Sequence, residues 1–351
     1  MKQSILFIVI NGDGLGHLTR ALAVARRIAS INPNTEIIFH TTSLAADIIG
    51  KMGFSYYYIP ARERIPYYVP LKEWERCVQS QLCTILKDHQ PKVVIFDGAY
   101  PSTAILTPLM ADDRINKIWI KREGDRSNMI KLDVYESYFD YIIVPKEVGL
   151  GYNETDSNKL YFSPILLVDK TESYRRKQVR ELLKLDDTNQ LWYMQLGNGE
   201  STSNKEIISY ILSILLVKKD NVVLLGESII NKTINMKHER VITLRNYPNS
   251  MYFNAVDFAI SAAGYNTFHE LLFFKVPSIF IPNNKVLKDD QAARANRGQD
   301  LGIGIALNDT LQLREATRLL EASRGKFQKN YEDLDFTNGA LQVAEFLNDF
   351  M

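Results

Sequence analysis

The sequence predicts an α/β protein built from two successive doubly wound parallel sheets. Three observations carry this expectation. Short β-branched runs alternate with longer amphipathic stretches along the chain, which is the pattern of strand–helix units. Several runs, such as ILFIVI at 5–10 and VVIF at 93–96, are apolar throughout, as strands covered by helices on both faces must be. The alternation breaks once, over the polar and charged stretch 149–190, and then resumes. A chain of 351 residues is long for one core and comfortable for two.

In the first half, strands are expected at 5–10, 36–40, 93–97, 117–120 and 141–144, with helices at 18–30, 45–52, 71–87 and 102–110. In the second half, LWYMQL (191–196), VVLL (222–225), VITL (241–244), DFAIS (257–261) and SIFI (278–281) read as strands with helices between them. NGALQVAEFLNDF (338–350) reads as an amphipathic terminal helix. The expected division is a first domain over 1–165, a second over 166–332, and a tail over 333–351 placed to pack back on the first.

The hydrophobic fraction of 46%, the charged fraction of 24% and the net charge of +1 are those of an ordinary soluble protein. They give no electrostatic case for nucleic acid. The apolar run near the N-terminus is too short for a signal segment or a membrane span and reads as a first buried strand. Cys77 and Cys83 share one helical stretch without CxxC or histidine spacing. A reduced, cytoplasmic protein without a structural zinc site is expected.

Sheets of this kind bind ligands beyond the carboxyl ends of their strands. After the first strand comes NGDGLGH, with Gly12, Gly14, Gly16 and His17. A dinucleotide-binding turn would need a third glycine where His17 stands, and an acidic residue closing the second strand. That strand ends HTTS (40–43), and Glu36 lies at its beginning. A phosphate loop would need a GK[ST] that does not follow. What remains is a glycine turn that brings backbone close to a ligand and sets His17 at a helix N-terminus. The positive helix end disfavours the imidazolium, leaving a ring that can accept a proton. Asp97, closing VVIFD, or the nearer Asp13 would orient it. A plain tight turn with His17 capping the helix remains equally open.

The second informative stretch is DFAISAAGYNTFHELLFFKVPSIFIPNNKVLKDDQAARANRGQDLG, 257–302. Gly264 lets backbone approach a ligand, and the helix that opens there offers N–H groups to a diphosphate. Thr267 and Glu270, three apart, share a face of its first turn, suiting a phosphate oxygen and a ribose diol. T-F-H-E can equally be a capping box with Thr267 as the N-cap. Asp290 and Gln291 open the next helix, where sugar hydroxyls could be gripped, and Asn296 and Arg297 follow on it. A weaker glycine loop, LGNGES, brings Gly197, Asn198 and Gly199 to the end of the second domain's first strand.

Together, G-x-G-x-G-H followed by a helix, and the later A-G-Y-N-T-F-H-E-L, F-x-V-P, I-P and D-Q-x-x-x-x-N, resemble the MurG-like glycosyltransferases of family 28 (GT-B fold). The resemblance implies two Rossmann-like domains facing across a cleft, the second binding a nucleoside-diphosphate sugar, usually a UDP-sugar, and the first an acceptor. It implies inverting transfer with no required cofactor or metal; the one D-x-D, Asp333 to Asp335, lies in the tail. Carried across, His17 is the base or an acceptor-site residue, and Asp97, by its place at a strand end, is the partner expected for it. Gly264 and Thr267 meet the diphosphate, Glu270 the ribose, and Asp290 and Gln291 the sugar. Donor contacts extend to Gly14, Gly16, Gly197, Asn198, Gly199, Ala263, Tyr265 and Asn266. By position, Arg245 and Tyr247 in RNYPNSM (245–251) lie where the base would sit.

The peptidoglycan enzymes carry GGTGGH and a paired Gln-Gln; here the loop is GDGLGH, Ala292 follows Gln291, and DGAYPS (97–102) replaces the acceptor-side glycine loop. The resemblance is therefore carried to donor and reaction type and not to their lipid-linked acceptor. Acceptor candidates are Tyr100, Arg64 within YYYIPARERIPYYVPLKEW (56–74), and Lys121 and Arg122 within WIKREGDRSN (119–128), which also holds Arg126. The aromatic, basic 56–74 stretch suits a glycan, a lipid-linked or small-molecule acceptor, a peripheral contact at the inner membrane face, or simple packing on the sheet. Rival functions on the same fold are a nucleotide-sugar hydrolase, which shares G-x-G-H-x-x-R (Gly16 to Arg20), a 2-epimerase, and a non-catalytic lectin-like subunit.

Overall fold

The computed structural model describes residues 3–10, 14–123, 132–152, 154–155, 158–197, 202–231, 233–234, 236–283, 289–334 and 336–351. The chain divides into two compact units, Met1–Leu167 with Asn338–Met351, and Val168–Thr337.

In the first unit the order is β1 (Ser4–Val9), α1 (Gly16–Ile31), β2 (Glu36–Thr41), α2 (Asp47–Lys51), β3 (Ser55–Tyr58), α3 (Leu71–His89), β4 (Val93–Asp97), α4 (Thr103–Met110), β5 (Asn116–Ile120), β6 (Tyr141–Pro145) and β7 (Lys159–Phe162). The strands form one seven-stranded sheet, β3-β2-β1-β4-β5-β6-β7, and every pair in it is parallel. β1 and β4 are buried along their whole length, which is why they read as unbroken apolar runs.

The second unit runs α5 (Arg176–Leu182), β8 (Gln190–Gln195), α6 (Thr202–Leu215), β9 (Asn221–Gly226), β10 (Val241–Leu244), β11 (Phe258–Ser261), α7 (Tyr265–Phe273), β12 (Ser278–Phe280), α8 (Gln291–Asp300), β13 (Gly304–Ala306), α9 (Leu313–Ala322) and α10 (Arg324–Glu332). Its six parallel strands are ordered β10-β9-β8-β11-β12-β13. The last helix, α11 (Ala340–Asn348), belongs to the first unit and packs on α1. Gly339 leads into it; a Cβ there would collide with the carbonyl of Ser163, so only glycine fits. Phe346 and Phe350 close the contact against the Tyr141 ring, with centroids 5.4 Å away in both cases.

Three strands depart from the expectation. β3 and β7 are edge strands with exposed or half-exposed side chains, and β13 has three residues, so none carries the apolar signature of a covered strand. Tyr56–Tyr58 therefore lie in β3 and not in an irregular acceptor-side loop. The remainder of that loop is short and closed on itself: Trp74 Nε1 donates to the carbonyl of Pro60 at 2.9 Å, and Arg62 to that of Val69 at 2.9 Å. Among the described residues, no helix is long and apolar enough to cross a membrane.

Both sheets reverse direction beside their first strand. From β1 the chain moves to β2 on one side and reaches β4 on the other; from β8 it moves to β9 and reaches β11. Each reversal leaves a crevice outside the carboxyl ends of two neighbouring strands, where ligands of open α/β sheets bind.

Candidate active site

In the first unit, the register pairs Val9 with Asp97, so β1 and β4 end side by side. α1 starts beyond β1 at Gly16 with no side-chain cap and no acidic residue in its first turn. His17 thus stands at a positive helix end directly beside the carboxyl end of β4. Its Nδ1 lies 2.6 Å from Asp97 Oδ1. One turn along the same helix face, Arg20 donates from Nε to Asp97 Oδ2 at 2.9 Å and from Nη2 to Oδ1. Arg20 and Asp97 are buried, whereas about 30% of the His17 side chain is accessible.

The protonation pattern follows from these partners. The Arg20 guanidinium and the His17 bond outweigh burial at Asp97, and its carboxyl lies below the usual carboxylate range. Desolvation lowers the His17 pKa; Arg20 and Arg122 add to this, and Asp97 opposes it. A neutral imidazole donating from Nδ1 to Asp97 turns Nε2 outward as an acceptor. The 3.1 Å separation of Arg20 Nη2 and His17 Nδ1 is that of two donors converging on one carboxylate oxygen.

The other first-unit candidates are spread out. Gly14 and Gly16 are exposed, and a Cβ on either would meet nothing within 4 Å. Gly12 and Asp13 lie outside the described residues, as does Arg126. Arg122, on the loop after β5, faces His17 electrostatically. Its neighbour Lys121 is taken up in an ion pair with Glu136, both side chains nearly buried. Tyr100 is exposed beyond β4, and Arg64 lies in an exposed turn beyond β3, two strands from β1.

In the second unit, Gly264 is the N-cap of α7 and Phe268 N–H bonds its carbonyl at 2.9 Å. This corrects the capping box: the helix opens at Tyr265, two residues before Thr267, so Thr267 is interior to the first turn and Glu270 falls in the second. Glu270 Oε1 instead accepts from Ser250 Oγ at 3.0 Å, and burial pushes its carboxyl up to about 7 against that hydrogen bond. Ser250 belongs to the turn Asn249–Ala255 that follows Arg245 and Tyr247. Arg245 holds the preceding loop through the carbonyls of Ile229 and Asn231, at 3.1 and 2.5 Å.

Asp290 caps α8, accepting from Ala293 N–H at 3.1 Å. Gln291 Oε1 accepts from the backbone N–H of Asn283 at 3.0 Å. The junctions converge. A Cβ on Gly264 would lie 4.0 Å from Gln291 Nε2, and one on Gly197, at the end of β8, 3.9 Å from Asn283 Nδ2. Asn198 and Gly199 lie outside the described residues, as does Asp335. Among the described residues, no group of three or more His, Cys, Asp or Glu could hold a metal ion.

Sequence reasoning missed several groups that hold these sites. Arg294 is almost fully buried and ties α8 to the α7 junction, donating to the carbonyl of Ala263 at 2.7 Å and to Asp289 at 2.8 Å. Its signal is an arginine amid alanines, three residues after Gln291. Ser250 has no sequence signal, being twenty residues from Glu270. Arg20 stands in the G-x-G-H-x-x-R match, three residues from His17 on the same helix face, but the sequence assigned it no role.

Residues 201–340 match the glycosyltransferase family 28 C-terminal domain. The UDP-N-acetylglucosamine–N-acetylmuramyl-(pentapeptide) pyrophosphoryl-undecaprenol N-acetylglucosamine transferase of Clostridium tetani is 21% identical over 367 residues, covering 100% of this chain and 99% of its own. Among solved structures, CalG4, the calicheamicin glycosyltransferase, superposes with a TM-score of 0.66 at 16% identity, covering 100% of this chain and 98% of its own. Acinetobacter baumannii MurG does so with 0.63 at 13% identity, covering 99% of each chain. The class that fold and comparisons define is a GT-B glycosyltransferase. Within that class, the chain is similar over its whole length to MurG-type transferases.

Proposed function

We propose that the protein transfers a sugar from a UDP-sugar to a hydroxyl acceptor with inversion, His17 being the general base. The observation that carries this is the His17–Asp97 contact of 2.6 Å at the crevice beside β1 and β4. In the proposed step, Nε2 of His17 takes the proton of the acceptor hydroxyl. The oxygen attacks the anomeric carbon, whose bond to the diphosphate oxygen breaks, and the nucleoside diphosphate leaves with the electron pair. Asp97 holds the ring and stabilises the imidazolium that forms.

The donor is assigned to the second unit. The amides of Tyr265, Asn266 and Thr267 would meet the diphosphate and disperse its growing charge without a resident metal. Glu270 would take the ribose diol, Gln291 and Asp290 the sugar, with Gly197 and Ala263 beside them and the base near Arg245 and Tyr247. The name of the Clostridium tetani relative supports UDP as the carrier. The acceptor, a glycan, a lipid-linked compound or a small molecule, is assigned to the first unit with Arg122 and Tyr100, and the protein to the cytoplasm or its membrane face.

Thermal-shift titration with UDP, dTDP, GDP and NAD, followed by nucleotide release with and without acceptors, tests the proposal. Stabilisation by UDP, little release in water alone, and a His17→Gln variant that binds UDP normally but does not turn over are the expected results. Fast acceptor-free release would put water in the acceptor's place, and turnover retained in His17→Gln would remove the base.

A further inference from the structure

We propose that Arg20 is a positioning residue of the base: gripping both oxygens of Asp97, it fixes the imidazole proton of His17 on Nδ1 and keeps the ring neutral. The catalytic meaning rests on the proposed role of His17; the geometry stands apart from it. Asp97 Oδ1 receives both His17 Nδ1 and Arg20 Nη2, and Oδ2 receives Arg20 Nε at 2.9 Å. Among the described residues, the side-chain donors to this carboxylate are His17 and Arg20, one helical turn apart on α1.

A histidine beside a lone buried aspartate is driven towards imidazolium, because the two charges attract. Here Arg20 already cancels the Asp97 charge, so protonating His17 would add a net positive charge to a buried, balanced pair. Among the described residues, charged groups reach the ring from three elements: Arg20 on α1, Asp97 on β4, and Arg122 on the loop after β5, two of them cations. The forked guanidinium also fixes the carboxylate plane, and with it the direction in which Oδ1 accepts from Nδ1. A lysine, a single point charge, carries the charge without that fork.

Nitrogen-15 NMR of the histidines tests this without any substrate, His17→Gln assigning the His17 signals. In the unaltered protein, His17 is expected as the Nδ1–H tautomer with a titration midpoint below 6.5. In Arg20→Met, the midpoint should rise by about one pH unit or more, the effect of removing one adjacent charge. In Arg20→Lys, the midpoint should move less, while the single tautomer gives way to a mixture. An unchanged midpoint in a folded Arg20→Met would overturn the proposal. Should that variant not fold, an unmixed Nδ1–H tautomer in Arg20→Lys overturns it equally. Turnover by His17→Gln would instead remove the base assignment and leave the NMR result standing, so the two failures are distinguishable.

Discussion

Gly264→Ala separates a glycine kept for a ligand from one kept for the fold. At Gly264, φ is −64° and ψ 145°, a conformation open to any residue, and the nearest atom to an added Cβ is Gln291 Nε2 at 4.0 Å. Alanine is a poorer N-cap than glycine by about 0.5–1 kcal/mol. It also lowers the entropy of the unfolded chain, which returns about 0.4–1 kcal/mol. The two nearly cancel, so unfolding stability should move by no more than about 0.5 kcal/mol. The bound diphosphate would have to retreat from the helix amides. Losing one charge-assisted hydrogen bond costs about 1.5–3 kcal/mol, or roughly 10- to 150-fold in Kd. Calorimetric titration with UDP alongside urea unfolding reads both quantities. Gly226→Ala is the contrast: its Cβ would sit 2.6 Å from the Tyr193 hydroxyl and 2.9 Å from Asn249 Nδ2, so stability should fall there instead. A stable Gly264→Ala protein that binds UDP as tightly as before would refute the placement of the diphosphate at α7.

Two further outcomes concern pH. Glu270, with its carboxyl raised to about 7, ionises in the unfolded chain first, so stability should fall as pH rises from about 4.5 to 7, by at most about 3 kcal/mol and less for its partial exposure. Glu270→Gln should be less sensitive across that window by urea unfolding at pH 5 and 8, while losing nucleotide affinity; identical pH dependence in both proteins would mean that the carboxyl titrates normally. His40 in β2 is fully buried, and burial, only partly opposed by Gln81, lowers its pKa to about 4. It is neutral in both states at pH 7, and as pH falls from about 6.5 to 4 the unfolded chain alone gains its proton, costing up to about 3 kcal/mol. His40→Leu should therefore lose less stability than the unaltered protein between pH 7 and pH 4.5, and equal losses would show that the imidazole is not the weak point.

The strands legible in the sequence are the covered ones. β1, β4, β9 and β11 are buried residue after residue and appear as apolar runs, whereas β3 and β7 are edges whose side chains meet solvent. The His17–Asp97 contact was legible for a related reason. Asp97 ends one such run and His17 opens the helix that follows another, and parallel pairing of β1 with β4 brings those two ends together. Arg20 was legible as the last residue of G-x-G-H-x-x-R, but its partner was not, because burial of this arginine depends on a carboxylate 77 residues away. The T-F-H-E spacing misled for the opposite reason: a cap is local chemistry, but where α7 begins is set by the end of β11 and the Gly264 turn. Asp290, in contrast, caps α8 with its own side chain, as its position suggests.

The two crevices share an architecture and differ in chemistry, and that difference bears on which unit does what. Both place a helix N-terminus without a side-chain cap, α1 or α7, beyond the carboxyl end of a buried strand. Beside α1 stand a neutral imidazole, an ionised carboxylate and two arginines, a set able to take and hold a proton. Beside α7 stand backbone amides, Gln291, the Glu270 carboxyl with its serine hydroxyl partner, and Arg294 already paired with Asp289. That second set can bind an anion and a diol, but among the described residues it holds no histidine–carboxylate pair like that at α1 to take and relay a proton. Dipole and charge complementarity therefore favour the diphosphate at α7 and the proton transfer at α1. Reversing the assignment would set a dianion beside the buried Asp97 carboxylate and leave the acceptor hydroxyl without a base.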